Sequence, residues 1–445
     1  MNATSSSVQL GAMDLYHALP CPEGWTTRRL RFVTRINKAQ PILLAPEDEV
    51  SFVPMAAVGE HGGIRLDQVK VLDEIGDGYT YFADGDVVVA KITPCFENGK
   101  GAFAQGLKNG IAFGTTELHV IRPADDVDGR FLFYLSISEL FRRLGEGAMY
   151  GAGGQKRVPE LFIKDFQALL PPMDQQQKIA AFLDRKTAEI DALIAKKRRL
   201  LDLLAEKRTA LITRAVTKGL NPDAPMKDSG IEWLGEIPAH WKVVRLRYVT
   251  QRIEQGWSPQ CENRQASIGE WGVLKVGCVN GETYDETENK ALPVDLPPKD
   301  QYEVREGDIL VSRANTKELL GSAALVNKTQ GKILLCDKLY RLETSSSVHK
   351  GFLVRVLRSR AARFQYERDA TGTSGSMQNI GQDTLKDLTF ACPPFEEQRK
   401  IEARLITEME QFGQLQDRID SAVTRLEEYR SALITNAVTG QIKVA

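Results

Sequence analysis

The stretch LLPPMDQQQKIAAFLDRKTAEIDALIAKKRRLLDLLAEKRTALITRAVT begins at Leu169 and is answered by ACPPFEEQRKIEARLITEMEQFGQLQDRIDSAVTRLEEYRSALITNAVT, which begins at Ala391. The two align without a gap at a shift of 222 residues, with 18 of the 47 positions from Pro171 to Thr217 identical. The identities include Pro171/Pro393, Gln176/Gln398, Lys178/Lys400, Ile179/Ile401 and the blocks Ala210–Thr213 and Ala432–Thr435. A repeat of that length is an architecture rather than a coincidence. Weaker echoes precede each copy: Trp25 with Arg29–Thr34 against Trp241 with Arg245–Thr250, Gly85-Asp86-Val87 against Gly307-Asp308-Ile309, and Phe131-Leu132 against Phe352-Leu353. The chain therefore reads as two modules of about 220 residues, each a variable first part followed by a shared tail.

Each tail opens on a proline pair, which ends the preceding segment and permits a helix to start. Asp174, Glu396 and Glu397 then suit the positive end of the helix dipole. With Gly413 as the only interruption, each tail can run as a helix of about 44 residues, ~66 Å long at 1.5 Å per residue. Apolar residues recur with a period of 3.5, which argues for a coiled coil. The spacing predicts one row through Ile179, Lys186, Leu193, Leu200, Lys207 and Arg214, and another through Leu183, Ile190, Lys197, Leu204 and Leu211. In the second tail the rows are Ile401, Glu408, Leu415, Ala422, Tyr429 and Asn436, and Leu405, Phe412, Ile419, Leu426 and Leu433. Residues 173–219 carry 11 Lys/Arg against 6 Asp/Glu, and residues 395–438 carry 6 against 9. Opposite signs favour pairing the first helix with the second, with Lys186, Lys197 and Lys207 finding acceptors such as Glu408. Two equivalent modules in one chain favour an antiparallel pair.

Residues 20–170 and 238–392 read as short strands with Gly/Asp/Asn turns, in which Val87–Ala90 and Ile309–Val311 look like buried strands. Residues 129–144 and 351–368 read as one helix each. A polar loop follows each helix: Ala148–Arg157, with Gln155, Lys156 and Arg157, and Thr371–Asn379, with Ser374, Ser376, Gln378 and Asn379. Backbone N–H groups there can bind phosphate, and amide or basic side chains can read base edges. Arg358 belongs to a run of arginines on the second of these helices and is a further candidate for a phosphate backbone. The second module carries 22 Lys/Arg against 19 Asp/Glu over residues 238–394, so any DNA site is a local patch.

Over all 445 residues, 58 Lys/Arg against 59 Asp/Glu exclude a uniformly basic nucleic-acid coat. No apolar run approaches the ~18 residues of a membrane helix, and the N-terminus lacks the pattern of a secretory signal. The six cysteines stand singly and the five histidines show no ligand spacing, so no metal site is expected and a reducing cytoplasm fits. No Walker A pattern occurs, since Asn98-Gly99-Lys100-Gly101 lacks the earlier glycine. Cys392-Pro393-Pro394-Phe395 and Leu170-Pro171-Pro172-Met173 lack the polar first residue with which adenine methyltransferases hold the target amine, and read as helix starts. The chain looks non-catalytic, with no cofactor of its own.

At the repeated Pro-Pro-x-x-x-Gln-x-Lys-Ile and Ala-Leu-Ile-Thr-x-Ala-Val-Thr segments, the chain resembles the specificity subunit of type I restriction–modification enzymes. The Trp-x-x-x-Arg-Leu-Arg-aromatic openings and the loop before each proline pair are similar too, so the resemblance covers about residues 20 to 442. It implies an α+β fold: target recognition domains at 20–172 and 238–394, spacer helices at 173–219 and 395–438 forming an antiparallel coiled coil, a linker at 220–237, and terminal segments at 1–19 and 439–445. It also implies that each domain reads half of a bipartite double-stranded DNA site. Modification subunits, two of them, would supply S-adenosylmethionine chemistry, and restriction subunits would supply ATP- and Mg-dependent translocation and cleavage. The helices would be the docking surface, for which Ile179, Leu183, Leu204, Ile401, Leu405 and Leu426 are the candidates. The rival classes are a self-contained DNA methyltransferase and a coiled-coil adaptor that binds no DNA.

Overall fold

The computed structural model describes residues 20–152, 154–372 and 377–444. They form two compact units: one runs to Arg198 and resumes at Asp420, and the other is Arg199–Ile419. Each unit thus contains one variable part and half of each long helix.

The first variable part is built on an antiparallel sheet in which Val87–Ala90 lies between Leu118–Pro123 and Gly101–Phe103, with Thr34–Ile36 beyond Leu118–Pro123. Every residue of Val87–Ala90 is buried, as the uninterrupted apolar run demands of a central strand. A second sheet, ordered Val69–Val71, Glu49–Val53, Ile111–Gly114, Thr80–Ala83, closes a smaller core around Phe82 and Val53. The second variable part repeats the first sheet in the same order, with Ile309–Ser312 in the central place of Val87–Ala90. The repeated Gly-Asp pair ahead of each central strand is a turn. Gly85 and Gly307 take positive φ, and the aspartates accept from the backbone N–H three residues earlier, Ala83 to Asp86 at 2.8 Å and Arg305 to Asp308 at 2.9 Å.

Where one helix was expected in each module there are two. Gly129–Ile137 (α1) and Glu139–Gly147 (α2) break at Ser138, and Lys350–Arg358 (α5) and Arg360–Asp369 (α6) break at Ser359. Each serine hydroxyl accepts from the N–H three residues on, which stops one helix and starts the next. Between them lie Glu160–Asp165 (α3) and the long helix Met173–Lys218 (α4); Gln382–Asp387 (α7) and the long helix Phe395–Val438 (α8) follow in the second module.

The repeated residues of the tails fasten the variable parts to the helices. Gln176 is buried; its amide donates to Pro171 O at 2.9 Å and Asp126 O at 3.1 Å, and its carbonyl accepts from Asp128 N at 2.8 Å. Gln398 does the same, donating to Pro393 O at 2.9 Å and accepting from His349 N at 2.7 Å. The repeated threonine supplies the other fastening. Thr435 Oγ1 accepts from Glu139 N at 3.0 Å in the first unit, and Thr213 Oγ1 accepts from Arg360 N at 3.3 Å in the second. Gln398→Ala leaves a buried N–H and a buried carbonyl without partners, so it should cost the second unit about 2–3 kcal/mol, read as a lowered midpoint in denaturant unfolding.

The helices run antiparallel within each unit. In the first, Asp191 meets Arg430 and Arg198 meets Glu427 at 2.9 Å, so the α8 partner falls as the α4 residue rises. In the second, Arg208 Nε lies 3.1 Å from Met409 Sδ, and Ile212, Ala215 and Val216 share a core with Ile401 and Leu405. One expected row is correct in each helix: Leu183 and Ile190, and Leu405, Ile419 and Leu433, are buried. The companion row lies one residue further along. Ile194 is 5% exposed whereas Leu193 is 46% exposed, and Leu200, Leu415 and Tyr429 also face solvent. Side-by-side leucines and isoleucines (Leu193-Ile194, Leu200-Leu201) satisfy a 3.5 period in either row, and the shifted row sends Lys207 and Arg214 to solvent. The expected Lys–Glu408 links do not form: Lys186 bonds Glu189 at 2.7 Å and Glu408 takes Arg404, each on its own helix.

His61, at φ 64°, sits against this helix pair, and burial followed by the charges of Arg430 and Arg142 lowers its pKa to about 4. The unfolded chain takes up that proton near pH 6.5, so the neutral imidazole stabilises the fold fully above that pH and the contribution is lost as pH falls toward 4. The melting temperature should drop over that interval, and His61→Asn, which tolerates the same backbone, should flatten the drop.

Candidate nucleic-acid interface

The polar loops sit at equivalent places in the two sheets. In the first module Lys91 follows the central strand; its N–H donates to Glu117 O at 2.9 Å and its carbonyl accepts from Val158 N at 2.8 Å. In the second, Arg313 follows the central strand; its N–H donates to Lys338 O at 2.9 Å and its carbonyl accepts from Ile380 N at 2.9 Å. The same two bonds thus pin the end of each loop to the residue after the central strand, and that residue is a cation in both modules.

In the first module Gln155 and Lys156 are exposed and Tyr150 is 66% exposed. Arg157 is tied down: its backbone bridges Tyr150, and its guanidinium grips Glu117 through Nη2–Oε1 at 2.7 Å and Nε–Oε2 at 3.0 Å. That pairing holds the Glu117 carboxyl below its usual range and the Arg157 guanidinium above it. Behind the loop, buried His119 lies 2.9 Å from Val158 O and 3.1 Å from the Asn37 amide, which also donates to Glu160 at 2.8 Å. Burial lowers the His119 pKa, so the imidazole is a neutral strut.

In the second module Gln378–Asn379 pairs antiparallel with Ala314–Asn315, and Thr371 and Asn379 exchange backbone bonds of 2.9 Å. Arg313 stacks over Tyr340 at 5.9 Å and gives Nη1 to Asp337 O at 3.3 Å. Its Nε and the Oε1 of Gln378 are buried without a hydrogen-bond partner, and Lys317, four residues on, and Lys338, whose carbonyl accepts from Arg313 N, are both exposed. Buried polar atoms without partners, at the end of a loop, mark groups poised for an external ligand. Ser374 and Ser376 lie outside the described residues.

Two sets of expectations need correction. Arg358 is not a free cation: Nη1 donates to Val279 O at 3.2 Å and Ala323 O at 2.9 Å, Nη2 lies 3.7 Å from Glu282, and burial lowers its pKa. It knits the second module together. Ile179, Leu183, Ile401 and Leu405 are 5% exposed or less and belong to the apolar cores of their own units, while Leu204 and Leu426 are half-buried. Those four buried side chains offer no open face to another protein. Apolar side chains of the long helices that stand exposed are Leu193, Leu200, Leu203, Ile406, Leu415 and Tyr429. Lys91 and Arg313 were missed; their signal was a cation directly after each repeated buried strand.

Among the described residues no group of His, Cys, Asp and Glu is placed to hold a metal ion, and no helix is long and apolar enough to cross a membrane. A duplicated α+β scaffold with antiparallel long helices and one loop-borne polar site per module defines a two-part recognition protein. The comparisons agree. Residues 22–201 match the family model of the type I restriction modification DNA specificity domain. The type I restriction enzyme EcoEI specificity subunit of Escherichia coli is 30% identical over 486 residues, covering 90% of this chain and 80% of the relative. The EcoAI specificity subunit of Escherichia coli is 43% identical over 162 residues, 36% of this chain and 27% of the relative. The fold is shared with a chain from a solved type I restriction–modification system (TM-score 0.72, 18% identity, 95% of this chain and 100% of the other). It is also shared with the HsdS subunit from Thermoanaerobacter tengcongensis (TM-score 0.52, 19% identity, 95% and 98%). The chain belongs to the specificity subunits of type I restriction–modification enzymes.

Proposed function

We propose that this chain reads a bipartite double-stranded DNA site, one half through each loop-bearing sheet, and itself performs no chemistry. The observation that carries the reading is the duplicated cation after each central strand, Lys91 and Arg313, pinned to a polar loop by the same two backbone bonds. DNA is equally acidic at both half-sites, so a surface that meets it in both modules should be cationic in both. Methyl transfer, ATP-driven movement and cleavage then belong to separate modification and restriction subunits in the cytoplasm, with S-adenosylmethionine, ATP and Mg bound there. Mapping methylated adenines in host DNA with and without this chain tests the reading. A two-part motif with a fixed gap should vanish on deletion, and a motif that persists would refute it.

The modification subunits dock on the outward apolar rows of the long helices rather than on the buried ones. Leu200 and Leu203, 46% and 45% exposed, are the natural anchors. Leu200→Asp with Leu203→Asp should weaken assembly with the modification subunits at least tenfold in a co-sedimentation titration, with the melting temperature of the chain alone unchanged.

A further inference from the structure

Within the second unit, the end of α4 and the start of α6 enclose a cleft of about 1040 Å³. One wall is made of small side chains of α4, among them Ala205, Thr209 and Thr213. Arg214, Lys218, Arg360 and Arg363 line it as well, and none of the four forms an ion pair among the described residues. The nearest thing to a partner is Lys317 O, which accepts from Arg363 at 3.2 Å. Glu206 is the one carboxylate in the lining. Arg214, Lys218 and Arg360 are exposed and Arg363 is half-buried, so the cleft presents concentrated positive charge that an entering anion would neutralise.

The first unit carries the corresponding cleft, fixed by the matching bonds from Thr435 to Glu139 and from Thr213 to Arg360. Its lining is opposite in sign: Glu97, Glu139, Glu146 and Glu428 against Arg142 and Arg143, with Arg143 paired to Glu139 and Arg142 held by Ile137 O and Glu97 O. Glu139 stands where Arg360 stands, and Arg142 where Arg363 stands. Duplex DNA cannot account for this divergence, because both modules would meet the same polyanion. We propose that the cationic cleft of the second unit binds an acidic segment of a partner polypeptide, and that the first unit, with its acidic cleft, does not bind it. The small-residue wall lets a helix or extended strand approach closely, and the four cations select carboxylates. One consequence is that two modules built alike present different surfaces to the assembly, so a single partner segment can distinguish them.

The test uses the full chain and a fluorescein-labelled hexaglutamate peptide, read by fluorescence anisotropy. Wild-type protein should bind the peptide, more weakly as salt rises. Arg360→Glu with Arg363→Glu should weaken binding more than tenfold, and so should Arg214→Glu with Lys218→Glu, whose side chains lie on the exposed helix surface and leave the fold intact. Arg360→Lys with Arg363→Lys should retain binding. Arg185→Glu with Lys196→Glu changes the net charge equally on exposed positions outside the cleft and should have no effect; an equal loss there would overturn the proposal. So would displacement of the peptide by a non-target duplex whose own binding is abolished by Arg360→Glu with Arg363→Glu, since the cleft would then be a DNA contact. In a complex assembled with the modification and restriction subunits, carbodiimide should couple Lys218 to an Asp or Glu of a partner, and an assembled complex without that adduct would refute the partner assignment. The peptide measurement does not depend on the DNA-reading function, so failure of the complex to assemble would count against that function alone.

Discussion

Arg313→Glu should reduce binding of the bipartite target by the assembled complex about a hundredfold, and Lys91→Glu should do the same through the other half-site. A charge-assisted hydrogen bond to a phosphate or base edge contributes about 1.5–3 kcal/mol, and reversing the charge adds repulsion; 3 kcal/mol is roughly a 150-fold change in affinity. Arg313 is the stronger case. Its Nε is buried without a partner, its one side-chain hydrogen bond goes to a backbone carbonyl 3.3 Å away, and Tyr340 holds the guanidinium plane. DNA bound there would complete the donor set that the protein leaves open. Arg313→Lys keeps the charge but loses the fork and the stacking, so it should recover only part of the affinity. The log–log salt slope should become shallower by about one unit if the contact is to phosphate. If it is to a base, discrimination at one position of one half-site should relax with the slope unchanged. The idea fails if both charge reversals leave target affinity and methylation unaltered while the fold is intact.

What was legible in the sequence was what is written as a run or a repeat. The antiparallel helix pair follows from the gapless duplication, and the central strands from uninterrupted apolar residues such as Val87–Ala90. The second seam row was not legible, because Leu193-Ile194 and Leu200-Leu201 offer apolar side chains to two adjacent rows, and tertiary packing chose the one that expels Lys207 and Arg214. The breaks at Ser138 and Ser359 could have been read: a serine ahead of Glu139 and of Arg360 is an N-cap signal inside an otherwise helical run. The duplicated Gln176/Gln398 and Thr213/Thr435 were visible as identities, but apart from the Pro171 and Pro393 carbonyls five residues back their partners lie 48 to 296 residues away in sequence, and no local pattern encodes those. Arg358 shows the reverse error. A row of arginines on one helix looks like a phosphate contact until burial turns one of them inward to Val279 and Ala323.

The Gly-Asp turn predicts an asymmetry between the two modules. Asp86 is 1% exposed in its side chain and takes both ends of the Arg122 guanidinium, Nε–Oδ1 at 2.6 Å and Nη2–Oδ2 at 2.5 Å, besides the Ala83 N–H. That hydrogen bonding raises the Arg122 pKa. Asp86→Ala strands a largely buried guanidinium and a backbone donor at once, and removal of one partner from such a pair costs about 3–5 kcal/mol, a large share of the stability of a domain this size. Arg122→Met in the same chain should return a good part of the loss, because the uncompensated charge, rather than the missing bridge, dominates it. Asp308 stands at the matching turn but is 21% exposed, its partner Arg341 lies 3.4 Å away, and that arginine is also held by Glu254. Asp308→Ala leaves the guanidinium neutralised and should cost only about 1 kcal/mol. Calorimetry of the full chain, with the transition of the first unit assigned by protease sensitivity, separates the two. Equal destabilisation by the two substitutions would show that the turn itself, and not the buried charge behind it, holds the sheet.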